Sequence, residues 1–321
     1  MKYQDAVREF KDALVDHRRD AVLAALRMAG RVTFSDAISR YVQSLAANRK
    51  RRGGENADGR NSHAANTATV LRKLARELGV THLDEVTPET VESYIDRRTA
   101  EGLSGKTLRN HLASLSGLSS WALRFKYLGS NPVEAVRTPE VESGEIDFIE
   151  PDTIGKALAA VKGTSVERPV ALALLAGLRR CEITRLSSGD IDWSRKEVVI
   201  RPAVSKTGRG RRVPMSDRLA EILRRKLTVP FVCTNRDGQK WNPDRLTRRA
   251  RYFLRSIRSN VGGKVGFNTL RHTFVTSLLA KGTEVWTVAK WAGHSVQVLE
   301  RHYGAYVKPE GAEGTVDILA V

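Results

Sequence analysis

Apolar residues in the first 130 positions recur every three or four residues, which is the spacing of one helical face. Thr87 followed by Pro88, and Ser104, are typical helix starts, and Gly79 is a typical helix stop. The pattern predicts helices over residues 4–28, 34–45, 67–78, from Pro88 onward, and from Ser104 to about residue 127. The first part of the chain is therefore predicted to be all-α, ending at Asn131-Pro132.

One stretch interrupts this helical pattern. Residues 49–68 are rich in Gly, Asn and charge and nearly empty of large apolar side chains, so they are predicted to form a mobile loop. Its basic run begins at Arg49 and ends at Arg52. These two arginines are candidates for contacts with phosphate groups, and a solvated loop is the alternative.

Beyond a polar segment at residues 137–147, where we place the domain boundary, the pattern changes. Pro169 to Ala176 is predicted to be a buried helix ended by Gly177. Ile191–Arg201 and Arg211–Pro214 are predicted to be strands joined as a hairpin by the loop AVSKTGRG. The fold class is therefore mainly α, with a small antiparallel sheet in the second domain.

A further helix is predicted over residues 244–259, with its apolar and basic residues divided between two faces. Leu246, Ala250, Phe253 and Ile257 lie on the apolar face. The opposite face carries arginines at spacings of three and four, namely Arg248, Arg251, Arg255 and Arg258. Four arginines on one face suit contact with a nucleic-acid backbone, and a plain solvated face is the alternative.

The excess of basic residues over acidic residues indicates a polyanionic partner. The 321 residues hold 54 Lys and Arg against 36 Asp and Glu, giving a net charge of +18, and the sequence pI is about 10.2. Nucleic acid is the leading candidate, although a ribosome-associated or merely soluble basic protein would also fit. Two cysteines form neither a disulfide framework nor a metal pattern, and the chain shows no signal peptide and no membrane-spanning run. We therefore expect a cytoplasmic protein without a membrane association.

The residues that carry chemistry lie near the end of the chain. Arg271, His294 and Tyr303 fall within residues 270–306, and Arg179 stands near the middle. Arginine forks stabilise the charge that develops on phosphate oxygens, a histidine donates a hydrogen bond or moves a proton, and a tyrosine is a covalent nucleophile. Lys206, in the hairpin loop, could protonate the leaving oxygen. Each residue alone has an ordinary structural explanation, but together they predict phosphodiester cleavage without a metal.

These segments resemble the tyrosine recombinase (phage integrase) family. The resemblance rests on GLRRCE at 177–182, SKTGRGRRVPM around Lys206, NTLRHTFVT, AGHS and ERHYGAY. It implies that Arg179, Lys206, Arg271 and His294 are catalytic, that Tyr303 is the nucleophile, and that Glu182 supports the site.

One position departs from the family pattern, because Asn268 stands where the family usually has a histidine. Asn268 is expected to bind phosphate or to be the N-cap of the Arg271 helix, and it cannot carry a proton near neutral pH. His272 is the less favoured substitute, because a residue adjacent to Arg271 is expected to point elsewhere on the helix. Tyr306 is a rival nucleophile, and the spacing from His294 favours Tyr303.

The resemblance also implies an architecture. It predicts a helical extension over 1–30, an all-α core-binding domain over 31–137, a linker over 138–147, an α+β catalytic domain over 148–307 and a tail over 308–321. The two domains would form a C-shaped clamp on double-stranded DNA. In the tail, Val316, Ile318 and Leu319 are expected to dock on a neighbouring subunit, with a frayed terminus as the alternative.

The implied reaction is site-specific DNA recombination by a homo-tetramer. Tyr303 would form a 3′-phosphotyrosyl link, and strand exchange would pass through a four-way junction with no metal, ATP or other cofactor. A type IB topoisomerase-like enzyme and a non-catalytic DNA-binding protein are the alternatives.

Overall fold

The structure is a computed structural model that describes residues 31–51, 62–141, 145–205, 208–225 and 230–307. The predicted helix over residues 4–28, Arg52, Lys206 and the tail residues Val316, Ile318 and Leu319 therefore lie outside the described residues. The chain divides into two compact units between residues 143 and 144.

The first unit is all-α in its described residues. It contains α1 (Phe34–Arg51), α2 (Ser62–Leu78), α3 (Pro88–Ala100) and α4 (Gly105–Arg124). Thr87 caps α3 by accepting a hydrogen bond from the Thr90 backbone amide, and Ser104 caps α4 in the same way through Thr107. The predicted starts of both helices are therefore confirmed.

The core of this unit is made by the apolar stripe of α4 and the facing helices. Leu108, Leu115 and Leu118 are almost completely buried against Leu71 of α2 and Phe34 of α1. The α4 stripe is thus a packing surface, as its spacing indicates.

The predicted loop over 49–68 is wrong at both ends. α1 continues through Arg49 to Arg51, and α2 already begins at Ser62. The apolar face of α2 starts with small residues, because Ala64 and Ala68 are buried together with Leu71. The spacing of large apolar residues alone therefore does not predict the first turn of α2.

The second unit contains eight helices in its described residues and one three-stranded sheet. They are α5 (Ile154–Val161), α6 (Glu167–Ala176), α7 (Arg180–Ile183), α8 (Asp217–Arg224), α9 (Pro243–Phe253), α10 (Phe267–Ala280), α11 (Val285–Ala292) and α12 (Val296–Tyr303). α6 packs closely along α10 in the centre of the unit, where Leu172, Leu270 and Val275 are fully buried. None of the helices in the described ranges is long and apolar enough to cross a membrane.

The sheet is antiparallel, in the order β1 (Ile191–Asp192), β2 (Glu197–Ile200) and β3 (Arg211–Pro214). The single strand predicted over Ile191–Arg201 is wrong, because the chain turns between β1 and β2 and pairs Ile191 with Val198. Lys196 adopts a positive φ of 51° at the end of that turn. The pairing of β2 with β3 confirms the predicted hairpin.

The arginine helix is shorter than predicted, because α9 ends at Phe253 rather than near residue 259. The chain then bends so that Asn260 pairs with the segment before α5. Its backbone amide donates to the Phe148 carbonyl at 2.8 Å, and its side-chain oxygen accepts from the Phe148 amide at 2.9 Å. Arg255 and Arg258 therefore follow the helix instead of lying on it.

Candidate active site

The site is organised around one buried carboxylate, that of Glu182. Gly177 ends α6 in the left-handed conformation, with φ of 63°, and Arg179 is the N-cap of the short helix α7. Glu182 lies one turn later and accepts hydrogen bonds from the Arg179 backbone amide at 2.8 Å and from Arg179 Nη1 at 3.2 Å. Arg211 of β3 donates to both Glu182 oxygens, at 2.9 and 2.7 Å.

Two positive charges thus meet one fully buried negative charge. Burial by itself would raise the pKa of Glu182, but hydrogen bonds and charge from Arg211, followed by those of Arg179, hold the pKa of this carboxyl below its usual value. Glu182 therefore stays ionised and orients both guanidinium groups.

Arg271 lies in the second turn of α10 and is almost completely buried. Its Nη1 donates to the Gly177 carbonyl, and its Nη2 donates to the Ala292 carbonyl. Burial, with the nearby charges of Arg179 and Arg211, lowers the pKa of Arg271 to about 9. The guanidinium accordingly remains a fixed cation at neutral pH.

Three consecutive carbonyls at the end of α11 each accept from a different arginine. Arg211 Nε donates to Trp291 at 2.8 Å, Arg271 donates to Ala292, and Arg179 Nη2 donates to Gly293 at 2.7 Å. The last carbonyls of a helix have no partner within the helix, so they are natural acceptors for cationic side chains. This helix end therefore brings residues from α7, α10 and β3 together.

His294 follows Gly293 and faces Arg271. Its Nε2 lies 2.7 Å from Arg271 Nη2. Because arginine only donates, His294 Nε2 is the acceptor, and the neutral ring carries its proton on Nδ1. Burial and the charges of Arg271 and Arg179 lower the pKa of His294 to about 3, so the ring is neutral. His294 Nδ1 is buried and has no hydrogen-bond partner among the described residues.

Tyr303 is the last residue of α12 and is only 1% exposed. Its hydroxyl forms a hydrogen bond with His272 Nδ1, and its ring centroid lies 6.2 Å from that of His294. Burial raises the pKa of Tyr303 to about 12, although the charges of Arg271 and Arg179 oppose this shift. The phenol is therefore protonated at rest. Tyr306, the rival, instead packs edge-on against Phe148 with centroids 5.3 Å apart.

Two expectations about the start of α10 are wrong. Asn268 is not the N-cap, because Gly266 holds that position and α10 begins at Phe267. Asn268 is exposed in the first turn. His272 does not point away from the site, because its Nδ1 forms a hydrogen bond with the hydroxyl of Tyr303, the last residue of α12. Two sides of one helix therefore serve the same site.

Arg211 and His272 belong to the site although their roles were not predicted from the sequence. Alternation along β3 offered a signal for Arg211, because it shares a face with the fully buried Val213. An arginine that points inward needs a carboxylate, and Glu182 supplies it. No sequence signal identified His272 as a contact of Tyr303, since that contact depends on how α12 packs.

The remaining predicted residues lie elsewhere. Arg248, Arg251, Arg255 and Arg258 are all exposed, and together with Tyr252 and Lys264 they line a pocket of about 430 Å³. Arg49 lies in α1. Within the described ranges, no cluster of three or more His, Cys, Asp or Glu side chains is placed to hold a metal ion.

The chain matches two family models. Residues 147–306 match the phage integrase family, and residues 64–126 match the phage integrase N-terminal SAM-like domain. Curated relatives include a tyrosine recombinase of Thermosipho africanus, 23% identical over 73% of this chain and 86% of the relative. Another is a tyrosine recombinase of Pseudothermotoga lettingae, 28% identical over 66% and 76%. The tyrosine recombinase XerD of Staphylococcus haemolyticus is 22% identical over 68% and 78%.

Solved structures share the fold. A lambda integrase dimer bound to a COC′ core site has a TM-score of 0.68, with 16% identity over 91% of this chain and 82% of that one. The Tn1549 transposon integrase in complex with transposon right end DNA has a TM-score of 0.66, with 17% identity over 90% and 100%. A lambda integrase tetramer bound to a Holliday junction has a TM-score of 0.67, with 18% identity over 85% and 81%. The chain belongs to the phage integrase family and is a tyrosine-type site-specific recombinase.

Proposed function

We propose that Tyr303 is the nucleophile of this recombinase and that Arg179, Arg271 and His294 bind the scissile phosphate. The phenol oxygen attacks phosphorus and forms a 3′-phosphotyrosyl link, and the 5′-oxygen leaves. A 5′-hydroxyl of the partner strand then attacks the same phosphorus and displaces Tyr303. The bond energy is kept in the covalent link, so the cycle consumes no ATP and its chemistry assigns no step to a metal.

The observation that carries this proposal is the concentration of fixed donors beside one buried tyrosine. Each guanidinium offers five N–H groups, and the carbonyls and Glu182 occupy only part of them. His294 adds a buried Nδ1–H that has no partner within the described part of the chain. Donors oriented before the reaction stabilise charge as it develops on the phosphate oxygens.

Lys206 and Asn268 are proposed to assist the reaction without forming the covalent bond. Lys206, in the β2–β3 connection, is proposed to protonate the 5′-oxygen as it leaves. Asn268 is exposed one turn before Arg271 and is proposed to donate a hydrogen bond to a DNA phosphate.

The proposed partner is double-stranded DNA, held by both domains. We assign DNA binding by residues 31–137 as a core-binding domain and by residues 148–307 as a catalytic domain, joined by 138–147. The exposed arginines around α9 and the basic residues near Arg49 are proposed to contact phosphates. We place the protein in the cytoplasm and, when bound, on the nucleoid.

A homo-tetramer on two paired DNA sites is the proposed active assembly. The support comes from the likeness to the lambda integrase tetramer on a Holliday junction. Strand exchange between two duplexes needs four cleavages, one by each subunit. A topoisomerase IB-like relaxation by a monomer is not favoured, because the curated relatives are recombinases.

Trapping the covalent intermediate tests the nucleophile. A binding site is first selected from a random-sequence DNA library with the full chain, and a nicked duplex with that site is then used as a suicide substrate. Wild type should form a covalent adduct that peptide mapping locates on Tyr303. Tyr303→Phe should form none, because the nucleophilic oxygen is absent.

The matched control is Tyr306→Phe, which removes a phenol oxygen only three residues away. It should retain the adduct at a rate close to that of wild type. An adduct that persists in Tyr303→Phe, or that disappears in Tyr306→Phe, contradicts the assignment. A dependence on two paired sites for complete exchange separates recombination from relaxation.

A further inference from the structure

His272 lies beside Tyr303, and the mechanism described so far gives no role to its ability to accept a proton. Tyr303 must lose its proton as it attacks, yet the phenol is buried and protonated at rest. Its neighbouring arginines only donate hydrogen bonds, so they stabilise a phenolate but cannot accept the proton. The reaction therefore requires a basic atom within hydrogen-bond reach of Tyr303 Oη.

The two histidines of the site have opposite polarity. His294 Nε2 is occupied by the Arg271 N–H, so its free ring atom, Nδ1, carries a proton and acts as a donor. His272 Nδ1 lies against the Tyr303 hydroxyl instead. In the tautomer that carries the ring proton on Nε2, His272 Nδ1 accepts the hydrogen bond from the phenol O–H. Of these two histidines, His272 is then the one that presents a basic atom to the nucleophile.

The charges around His272 suit a base that is neutral at rest. Burial and the charges of Arg271 on α10 and His302 on α12 lower the pKa of His272, while Asp147 from the segment before α5 opposes them. Asp147 accepts a hydrogen bond from Thr269 on the same helix at 2.6 Å, and its other oxygen is buried without a partner among the described residues. The Asp147 charge favours an imidazolium when one forms.

We propose that His272 is the general base for Tyr303, accepting the phenol proton at Nδ1 as the phosphotyrosyl bond forms. The Oη–H bond and the bond from phosphorus to the 5′-oxygen break while the Oη–P and Nδ1–H bonds form. The leaving 5′-oxygen takes its proton from a separate acid, for which Lys206 is proposed. When the strand is rejoined, His272 returns its proton to the departing Tyr303 oxygen. The inference rests on Tyr303 being the nucleophile.

This assignment also accounts for Asn268. A histidine at that position would supply a second titratable ring, and asparagine cannot take a proton near neutral pH. His272, one turn further along α10, provides a proton acceptor from a position that already contacts the reacting oxygen. The chain therefore has a base in the site even though Asn268 lacks one.

The test compares His272→Asn with His272→Ala on the nicked suicide duplex. The asparagine side-chain oxygen occupies the place of Nδ1 and still accepts the Tyr303 hydrogen bond, but it cannot be protonated at neutral pH. A general base predicts that both variants form the adduct about 10²–10⁴-fold more slowly than wild type. Adduct formation by His272→Asn at a wild-type rate would reduce His272 to a positioning residue and overturn the proposal.

A second substrate separates the base from the acid. A bridging 5′-phosphorothiolate has a leaving sulfur that needs no protonation, so it should restore the rate of a Lys206→Ala variant. It should not restore His272→Asn, because the nucleophile still has to lose its proton. Restoration of His272→Asn by this substrate would show that His272 assists the leaving group and would refute the assignment.

The dependence of the cleavage rate on pH distinguishes a general base at His272 from a residue that only positions Tyr303. Wild-type cleavage should rise with pH through the lowered pKa of His272 and then level off, and this limb should be missing in His272→Asn. If the variants fail to fold, nitrogen NMR of the wild-type imidazole is the alternative measurement. Nδ1 should change its resonance in Tyr303→Phe, and an unchanged Nδ1 resonance would contradict the contact.

The outcomes also separate this inference from the proposed function. If wild type forms no adduct on Tyr303, the nucleophile assignment fails. If wild type forms the adduct and His272→Asn matches its rate, only the role of His272 fails. DNA binding by each variant, measured by gel shift on the same duplex, excludes a loss of substrate binding.

Discussion

At the scale of single residues, the charge balance of the site depends on Glu182. This carboxylate is fully buried and is shared by Arg179 and by Arg211, whose side chain is only 5% exposed. A buried ion pair gives little net stability, but removing one partner leaves the other buried and uncompensated. Glu182 therefore stabilises the fold as well as orienting Arg179.

We expect Glu182→Gln to lower the free energy of unfolding by about 3–5 kcal/mol, because the Arg211 charge then lacks a counter-charge. Urea denaturation measures this change. The matched control is Glu197→Gln, which removes the carboxylate 2.9 Å from the half-exposed Arg212. That surface pair should contribute less than about 1 kcal/mol. Equal losses in the two variants would contradict the burial argument.

The ionisation of Glu182 also makes the stability of the fold depend on pH. The folded-state pKa of Glu182 lies below the value of 4.5 expected for an unperturbed carboxyl. Its pairing therefore stabilises the fold at pH values above about 4.5, and this contribution is lost as the pH falls through the folded-state pKa. The contribution should be absent from the pH profile of Glu182→Gln.

At the scale of elements, the site depends on the contact between the end of α6 and α10. Gly177 has a positive φ, and a Cβ atom at this position would overlap the Phe274 ring on α10. The Gly177 carbonyl also accepts from Arg271. One glycine thus combines a helix stop, a close helix contact and an anchor for a cation.

We expect Gly177→Ala to destabilise the protein by about 1–3 kcal/mol, because both the backbone conformation and the packing are strained. Unfolding in urea measures the loss. Gly155→Ala in α5 is the control, because its Cβ would lie in open space and its φ is not positive. That change should be neutral or stabilising by up to about 1 kcal/mol. A similar effect of both substitutions would show that the Phe274 contact is unimportant.

The sequence predicted elements best where local chemistry defines them. The caps at Thr87 and Ser104, the stop at Gly177 and the β2–β3 hairpin follow from short-range rules and are confirmed. The shortened α9 was not predictable in this way, because the segment that follows it is held by hydrogen bonds from Asn260 to residues more than 110 positions earlier. The His272–Tyr303 contact was missed for the same reason, since two helices distant in sequence create it.

At the scale of the whole molecule, the net charge of +18 is unevenly distributed. Residues 141–321 hold 31 basic and 19 acidic side chains, against 23 and 17 in residues 1–140. Part of that excess is exposed around the end of α9, where four arginines and Lys264 line one pocket. Such a surface is suited to phosphate contacts, whose strength depends on the release of counterions.

We expect replacing the four arginines with glutamine to reduce the slope of log affinity against log salt by about 3–4, since each lost phosphate contact contributes about 0.9. Fluorescence anisotropy with a labelled random-sequence duplex measures the slope. The variant carries glutamine at Arg248, Arg251, Arg255 and Arg258.

The control removes the same charge from other exposed positions of the second unit. It carries glutamine at Lys156, Lys162, Arg195 and Arg236. If the arginines around α9 contact DNA directly, the control should retain most of the wild-type slope. Equal slopes for the two variants would mean that only net charge matters.

The three carbonyls at the end of α11 make the positions of the cations depend on the backbone and not on side-chain identity. Their arginine partners bind main-chain oxygens, which every amino acid provides, so replacing Trp291 or Ala292 leaves the acceptor atoms chemically unchanged. Gly293 is the exception, because its φ is 67° and a side chain there would press on Arg179 and Arg211. The hydrogen bonds to the cations therefore restrict the backbone of this helix end and the glycine, whereas core packing restricts the side chains of Trp291 and the fully buried Ala292.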